Sequence, residues 1–148
     1  MQLRLLLAAL LATAVSPVLG CTLSLGTAGT LALSSDGTRL ESSVAGGVAA
    51  TFTVVNLSLG TATVTVSPPQ LVAYPAGFGV GSASLAVAYS GSGVLGSVNQ
   101  GYTGSTTQFS VPGLLSLAVL MNVNNRISNA AGFAAGTYQT RTVVTCSG

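Results

Sequence analysis

Residues 136–146, with the sequence Gly-Thr-Tyr-Gln-Thr-Arg-Thr-Val-Val-Thr-Cys, form the most regular pattern near the end of the chain. Thr, Tyr and Val dominate this segment, and these residue types are favoured on the pleated, half-buried surface of a β-strand. Because side chains alternate between the two faces of a strand, one face carries Tyr138, Thr140, Thr142, Val144 and Cys146. We therefore expect one long closing strand.

The same period of two recurs upstream, with turn residues between the segments. Residues 48–56 form a strand with Val48, Ala50, Phe52 and Val54 inward, and residues 61–67 alternate strictly. These two strands are expected to form a hairpin, and residues 114–124 form another strong strand. Glycine-rich and serine-rich residues at 75–82 and 90–104 are expected to be exposed loops. About eight strands predict an all-β fold, an antiparallel two-sheet sandwich over residues 21–148. The residues expected to be buried between the sheets are Phe52, Val64, Leu117, Val119, Met121 and Val144.

Residues 1–20 have the features of a secretory signal peptide, whose helix would precede the sandwich. Arg4 supplies a positive start, residues 5–15 an apolar core, and residues 18–20 a cleavage site, so we expect cleavage between Gly20 and Cys21. The apolar run is shorter than the roughly 20 residues that span a membrane. The mature chain is therefore expected to have no membrane span and to be secreted, on the cell surface or in the periplasm.

Two cysteines in an exported chain favour one disulfide, between Cys21 and Cys146. Cys21 shares a strand face with Leu23, and Cys146 shares one with Val144, so both thiols are expected to point inward. An alternative is that residues 18–21 form a bacterial lipobox in which Cys21 carries a lipid. That alternative leaves Cys146 as an unexplained thiol.

The mature chain is almost uncharged, since Arg39, Arg126 and Arg141 face only Asp36 and Glu41. Nucleic-acid binding requires clustered cations, and these arginines are scattered. The absence of histidine and lysine removes the commonest general base and the Schiff-base nucleophile. Two carboxylates are also too few for a calcium site. We expect no enzymatic activity, no catalytic residues, no metal and no cofactor.

The segment Phe133-Ala134-Ala135-Gly136-Thr137-Tyr138, followed by an alternating Thr/Val strand, resembles the ending of spore coat protein U domains. The strand at residues 117–124 and the small, charge-poor composition are similar to that family too. The resemblance covers about the last 40 residues. It implies a secreted, pilin-like, immunoglobulin-type sandwich of the kind found in archaic chaperone–usher pili. It also implies pilus subunits and a periplasmic chaperone as partners.

Members of that family donate a free N-terminal strand to a neighbouring subunit, whereas here a disulfide at Cys21 would tie the first strand to its own domain. Low charge nevertheless suits a protein that packs against copies of itself or against a surface. We therefore expect an exported structural or adhesive surface protein that acts by assembly with itself or with other surface subunits. The alternative is a lipid-anchored or periplasmic binding module that uses the loops at 75–82 and 90–104.

Overall fold

The computed structural model describes residues 20–93, 96–113 and 117–148, although not the side chain of Leu117. The signal-peptide helix expected before Gly20 lies outside these residues. The described part is antiparallel β-structure with one 3-10 turn at Val80–Ser82, so the all-β prediction is confirmed. Its twelve strands are β1 (Cys21–Leu25), β2 (Ala32–Leu33), β3 (Arg39–Glu41), β4 (Ala50–Asn56), β5 (Ala62–Val66), β6 (Gln70–Ala73), β7 (Ser84–Gly93), β8 (Gly96–Thr103), β9 (Thr107–Val111), β10 (Leu117–Ser128), β11 (Gln139–Arg141) and β12 (Val144–Ser147).

The larger sheet is organised around the long strand β10. One side of β10 pairs with β4 and, further along, with β3, while the other side pairs with β7. Strand β8 completes the sheet beyond β7, and the segment that contains β1 and β2 forms the opposite edge. The chain from 21 to 33 is therefore an edge of this sheet along most of its length.

The smaller layer is built around β5, which pairs with β9 on one side and β12 on the other. Strands β6 and β11 pair with each other; β6 follows β5 in the chain, and β11 precedes β12. The expected single closing strand is thus two strands, because Pro68 and Pro69 interrupt the facing chain and proline has no N–H to donate. The predicted alternation of half-buried and exposed side chains still runs unbroken from Tyr138 to Cys146.

Strands β4 and β5 do not form the expected hairpin, since they lie in different sheets. The buried side chain of Asn56 fixes the crossing between them. Its Nδ2 donates to the carbonyls of Gly60 and Val111, at 3.0 and 2.8 Å, and its Oδ1 accepts hydrogen bonds from Ser58. Both strands bury one apolar face, which is why the alternating pattern alone does not distinguish a hairpin from a crossing between layers.

The core lies between the two layers and draws on both. It consists of Phe52, Val54, Val64, Val66, Val87, Tyr89, Val111, Met121 and Val123. The predicted burial of Phe52, Val64 and Met121 is confirmed, while Val119 and Val144 are partly buried against this cluster. The prediction for Leu117 lies outside the described side chains.

The segment 90–104 was expected to be a loop, but its residues 90–93 belong to β7 and its residues 96–103 form β8, the antiparallel partner of β7. Backbone pairing explains this difference, because β7 lies beside β10 from Ser84 to Ser92 and thereby presents a free edge to β8. The small side chains of this segment do not prevent strand formation when a partner strand is available.

Candidate functional site

The predicted disulfide between Cys21 and Cys146 is present, with a Cα–Cα distance of 5.8 Å and a sequence separation of 125. It joins the first residue of β1, at the edge of one sheet, to β12 at the edge of the other. Disulfides persist in oxidising compartments, so this bond indicates a location outside the cytoplasm. Lipid attachment at Cys21 would need the sulfur that is bonded here, so the structure favours the disulfide alternative.

A groove of about 530 Å³ lies between the edges of the two sheets, and Leu23 and Val144 in its lining are each two residues from a cysteine of the disulfide. We call it the edge groove, and its lining residues come from three places. The β1–β2 segment contributes Leu23, Leu25, Ala28, Gly29 and Leu31; the interior of the larger sheet contributes Ser42, Ala50, Thr51, Phe52, Val123 and Asn125; and the β11–β12 segment contributes Thr140, Arg141, Thr142 and Val144. The lining is predominantly apolar.

Both walls of the edge groove are sheet edges. Among the described residues, β1 pairs only with β4, β11 only with β6, and β12 only with β5. Edge strands present a row of unpaired N–H and C=O groups, which can pair with another chain. The groove therefore combines apolar walls with backbone groups that can hydrogen-bond to an extended segment.

The rim on the β1 side exposes apolar surface. Leu25 is 93% exposed although it belongs to a strand, whereas Leu23 is partly buried. Beyond Leu25 the alternation breaks at residues 26–29, where the chain lies very close to β4. A Cβ atom on Gly29 would lie 2.8 Å from Val48 O and from Ala50 N, so only glycine allows this approach.

One polar cluster lies inside the edge groove. Asn125 of β10 donates through Nδ2 to the Thr140 hydroxyl at 3.0 Å, and its Oδ1 accepts from the Thr142 hydroxyl at 2.8 Å. This pair of bonds connects the larger sheet to the β11–β12 segment. It also shows that Thr140 and Thr142 face the interior, as the sequence alternation predicted.

An aromatic cluster occupies a different part of the molecule. Phe78 is buried and packs against Phe133 and Tyr138, with ring centroids 5.6 and 5.0 Å apart, while the Tyr138 hydroxyl donates to Ala134 O at 3.0 Å. A smaller cleft of about 340 Å³ lies beside it, lined in part by Ser82 and Asn129. The glycine-rich residues 75–82 were expected to be an exposed loop. Most of them are exposed, but Phe78 is buried in the aromatic cluster.

The two carboxylates are structural partners of arginines. Glu41 is buried, accepts a hydrogen bond from Arg126 Nε at 2.5 Å and lies 3.7 Å from Arg39. Arg126 also stacks on Tyr102, with its guanidinium carbon 3.6 Å from the ring centroid. Within the described residues there is no group of three or more potential metal ligands and no helix long and apolar enough to cross a membrane.

Asp36 gives the fold a predicted dependence on pH. Hydrogen bonds from the Ser34 hydroxyl, the Thr38 backbone N–H and the Thr38 hydroxyl hold the pKa of Asp36 well below its ordinary value of 3.8. Because the folded-state pKa is lowered, Asp36 stabilises the fold above the unfolded-state pKa, and this contribution is lost as the pH falls through the acidic range. Thermal melts between pH 6 and pH 2 should show a smaller acid-induced decrease in Tm for Asp36→Asn than for wild type. Equal decreases would contradict this role for Asp36.

No protein-family model, no curated protein and no solved structure matches this chain. The resemblance to spore coat protein U domains therefore stays a prediction. Sequence reasoning identified the disulfide but not the edge groove, whose lining residues are far apart in the chain. The break at residues 26–29 was the available local signal, since it lies at the wall of the groove.

Proposed function

We propose that this protein is an exported structural or adhesive surface protein, pilin-like in architecture, that assembles by accepting an extended strand from another subunit. The observation that carries the proposal is the edge groove, which is apolar and lies between two strand edges that have no partner among the described residues. Strand addition at a sheet edge is a recurrent mode of recognition, in which backbone hydrogen bonds provide affinity and side-chain pockets provide specificity.

The groove suits a strand better than a compact ligand. An added strand beside β11 and β12 would extend the smaller layer by backbone pairing, and its inward side chains would cover Leu23, Phe52 and Val144. Burial of this apolar surface supplies the favourable free energy of association. Strand β1 is not available as the added strand, because it pairs with β4 and is bonded to Cys146.

The charge and the compartment support the same proposal. The whole chain has four cationic and two acidic side chains, which leaves little charge repulsion to prevent association. The disulfide indicates an oxidising compartment, where surface assemblies are built. The proposal has no catalytic step, and its partners are other surface or pilus subunits, with a periplasmic chaperone as a candidate that protects the groove before assembly.

Blocking the groove tests the proposal. Ala28 is exposed and lines the edge groove, so Ala28→Trp should fill the rim without disturbing the core. The matched control is Ala45→Trp, at an exposed alanine outside the groove. The probe is a panel of twelve-residue peptides with valine at alternate positions and threonine between them, and binding is measured by calorimetry on residues 21–148 with the disulfide intact.

We expect at least one peptide to bind wild type and Ala45→Trp equally, and to bind Ala28→Trp at least about tenfold more weakly, since 1.4 kcal/mol of lost interaction already gives that factor. Binding that is insensitive to Ala28→Trp would contradict strand acceptance at this site. If no peptide binds and the cleft beside Phe78 takes a small molecule instead, the binding-module alternative replaces the proposal.

A further inference from the structure

We propose that the edge groove accepts a strand from a different protein, and that this strand carries an acidic side chain beside Arg141. This inference rests on the proposed function and adds the chemistry of the partner.

Arg141 is the one charged side chain of the described residues that takes part in no ion pair. Arg39 pairs with Asp36 at 3.1 Å and lies near Glu41, and Arg126 pairs with Glu41. The Arg141 guanidinium donates a hydrogen bond to Gln70 Oε1 on the neighbouring strand, at 3.4 Å. The positive charge of Arg141 is therefore not compensated within the described part of the domain.

Arg141 belongs to β11, the strand beside which an added strand would lie. Thr140 and Thr142 face the interior through their bonds to Asn125, so Arg141 between them points to the outer face of β11. Gln70 occupies the neighbouring position on the β6 side, while the groove side of β11 has no partner among the described residues. A strand added there would place one outward side chain directly beside Arg141.

Side chains that lie directly opposite each other on neighbouring strands are close enough to interact. Opposite charges stabilise such a pair, and like charges destabilise it. An Asp or Glu at this position of the partner is therefore favoured over a neutral residue, and a Lys or Arg is disfavoured. The inward side chains of the same strand would be apolar where they meet Phe52 and Val144. Where the added strand passes Asn125, which also lines the groove, its inward side chain would be small and polar.

Both acidic side chains of this sequence already have partners within their own domain. The full sequence contains only two acidic side chains, Asp36 and Glu41. Asp36 is held in a turn by Ser34 and Thr38, and Glu41 is buried against Arg126. The complementary partner is consequently a different protein, and this domain accepts a strand from it.

Charge exchange between the peptide and residue 141 tests the inference. The probes are twelve-residue peptides that alternate valine and threonine, in which each outward threonine in turn is replaced by Glu, Gln or Lys. At the position beside Arg141, we expect Glu to bind wild type about fivefold more tightly than Gln, and Lys to bind more weakly still, because exposed ion pairs contribute up to about 1 kcal/mol. Arg141→Glu should invert this order, and Arg141→Gln should remove it.

Salt provides a second measurement, since about 1 M salt reduces the Debye length to about 3 Å and should abolish the preference for Glu. If peptides bind in the groove but wild type and Arg141→Glu both show no preference among Glu, Gln and Lys, the inference about the partner is overturned while strand acceptance stands. If no peptide binds at all, the proposed function fails and the inference fails with it. Fibres formed by residues 21–148 alone, unaffected by Arg141→Glu, would overturn the requirement for a different partner.

Discussion

Reduction of the Cys21–Cys146 disulfide is expected to lower the free energy of unfolding by roughly 4–5 kcal/mol. This is the entropic contribution to the free energy that the chain-entropy model assigns to a loop of this length. The bond spans 125 positions, nearly the whole described domain, so its loss frees both ends of the unfolded chain. For a domain of this size the expected decrease in Tm is about 10–20 °C. Melts of the oxidised and reduced protein, with the thiol content verified, measure the effect.

The double variant Cys21→Ser with Cys146→Ser separates loss of the bond from other effects of the reductant. Its Tm should match that of reduced wild type and should not change when reductant is added. A reduced protein that melts at the same temperature as the oxidised one would show that packing at β1 and β12 alone holds the two edges together.

Met121→Ala is expected to destabilise the domain by about 2–5 kcal/mol, the range for truncating a buried methionine or leucine in a core. Met121 is completely buried in β10, the central strand of the larger sheet, and belongs to the core cluster that both layers share. Truncation removes apolar contacts and leaves a cavity that the two sheets cannot close without moving. Urea denaturation of the oxidised protein measures the change.

The neighbouring residue Leu120 provides the matched control for Met121. It lies in the same strand but is 55% exposed on the opposite face, so Leu120→Ala should change the free energy of unfolding by no more than about 0.5 kcal/mol. Similar losses for the two variants would mean that β10 does not bury the face assigned to it.

The faces of most strands could be predicted from the sequence, whereas their partners could not. Alternation along residues 138–146 correctly indicated which side chains are half-buried, and Cys21 and Cys146 were correctly paired. The pattern in β4 and β5 indicated buried faces but suggested a hairpin, because strands of one sheet and strands of two facing sheets have the same period. The buried Asn56, which fixes the crossing, resembles an ordinary turn residue in sequence.

The edge groove could not be predicted for a related reason. A groove between sheet edges exists only where two strands lack a neighbour, and that depends on the pairing of every other strand. The segment 90–104 illustrates the difficulty. Its small side chains suggested a loop, whereas in the structure residues 96–103 pair with the edge of β7. Arg141 was recognised as one of few charges, but its isolation became visible only when Asp36 and Glu41 were seen to pair elsewhere.

Hydrogen exchange at the backbone amides of β11 and β12 tests strand acceptance most directly. The measurement compares the oxidised domain alone with the same domain saturated by its tightest-binding strand peptide. If the peptide adds to the edge, alternate amides of β11 and β12 that face the groove should exchange at least about tenfold more slowly, since each gains a hydrogen bond worth roughly 1 kcal/mol or more. Unchanged exchange at these amides, or protection confined to the cluster around Phe78, would contradict the account.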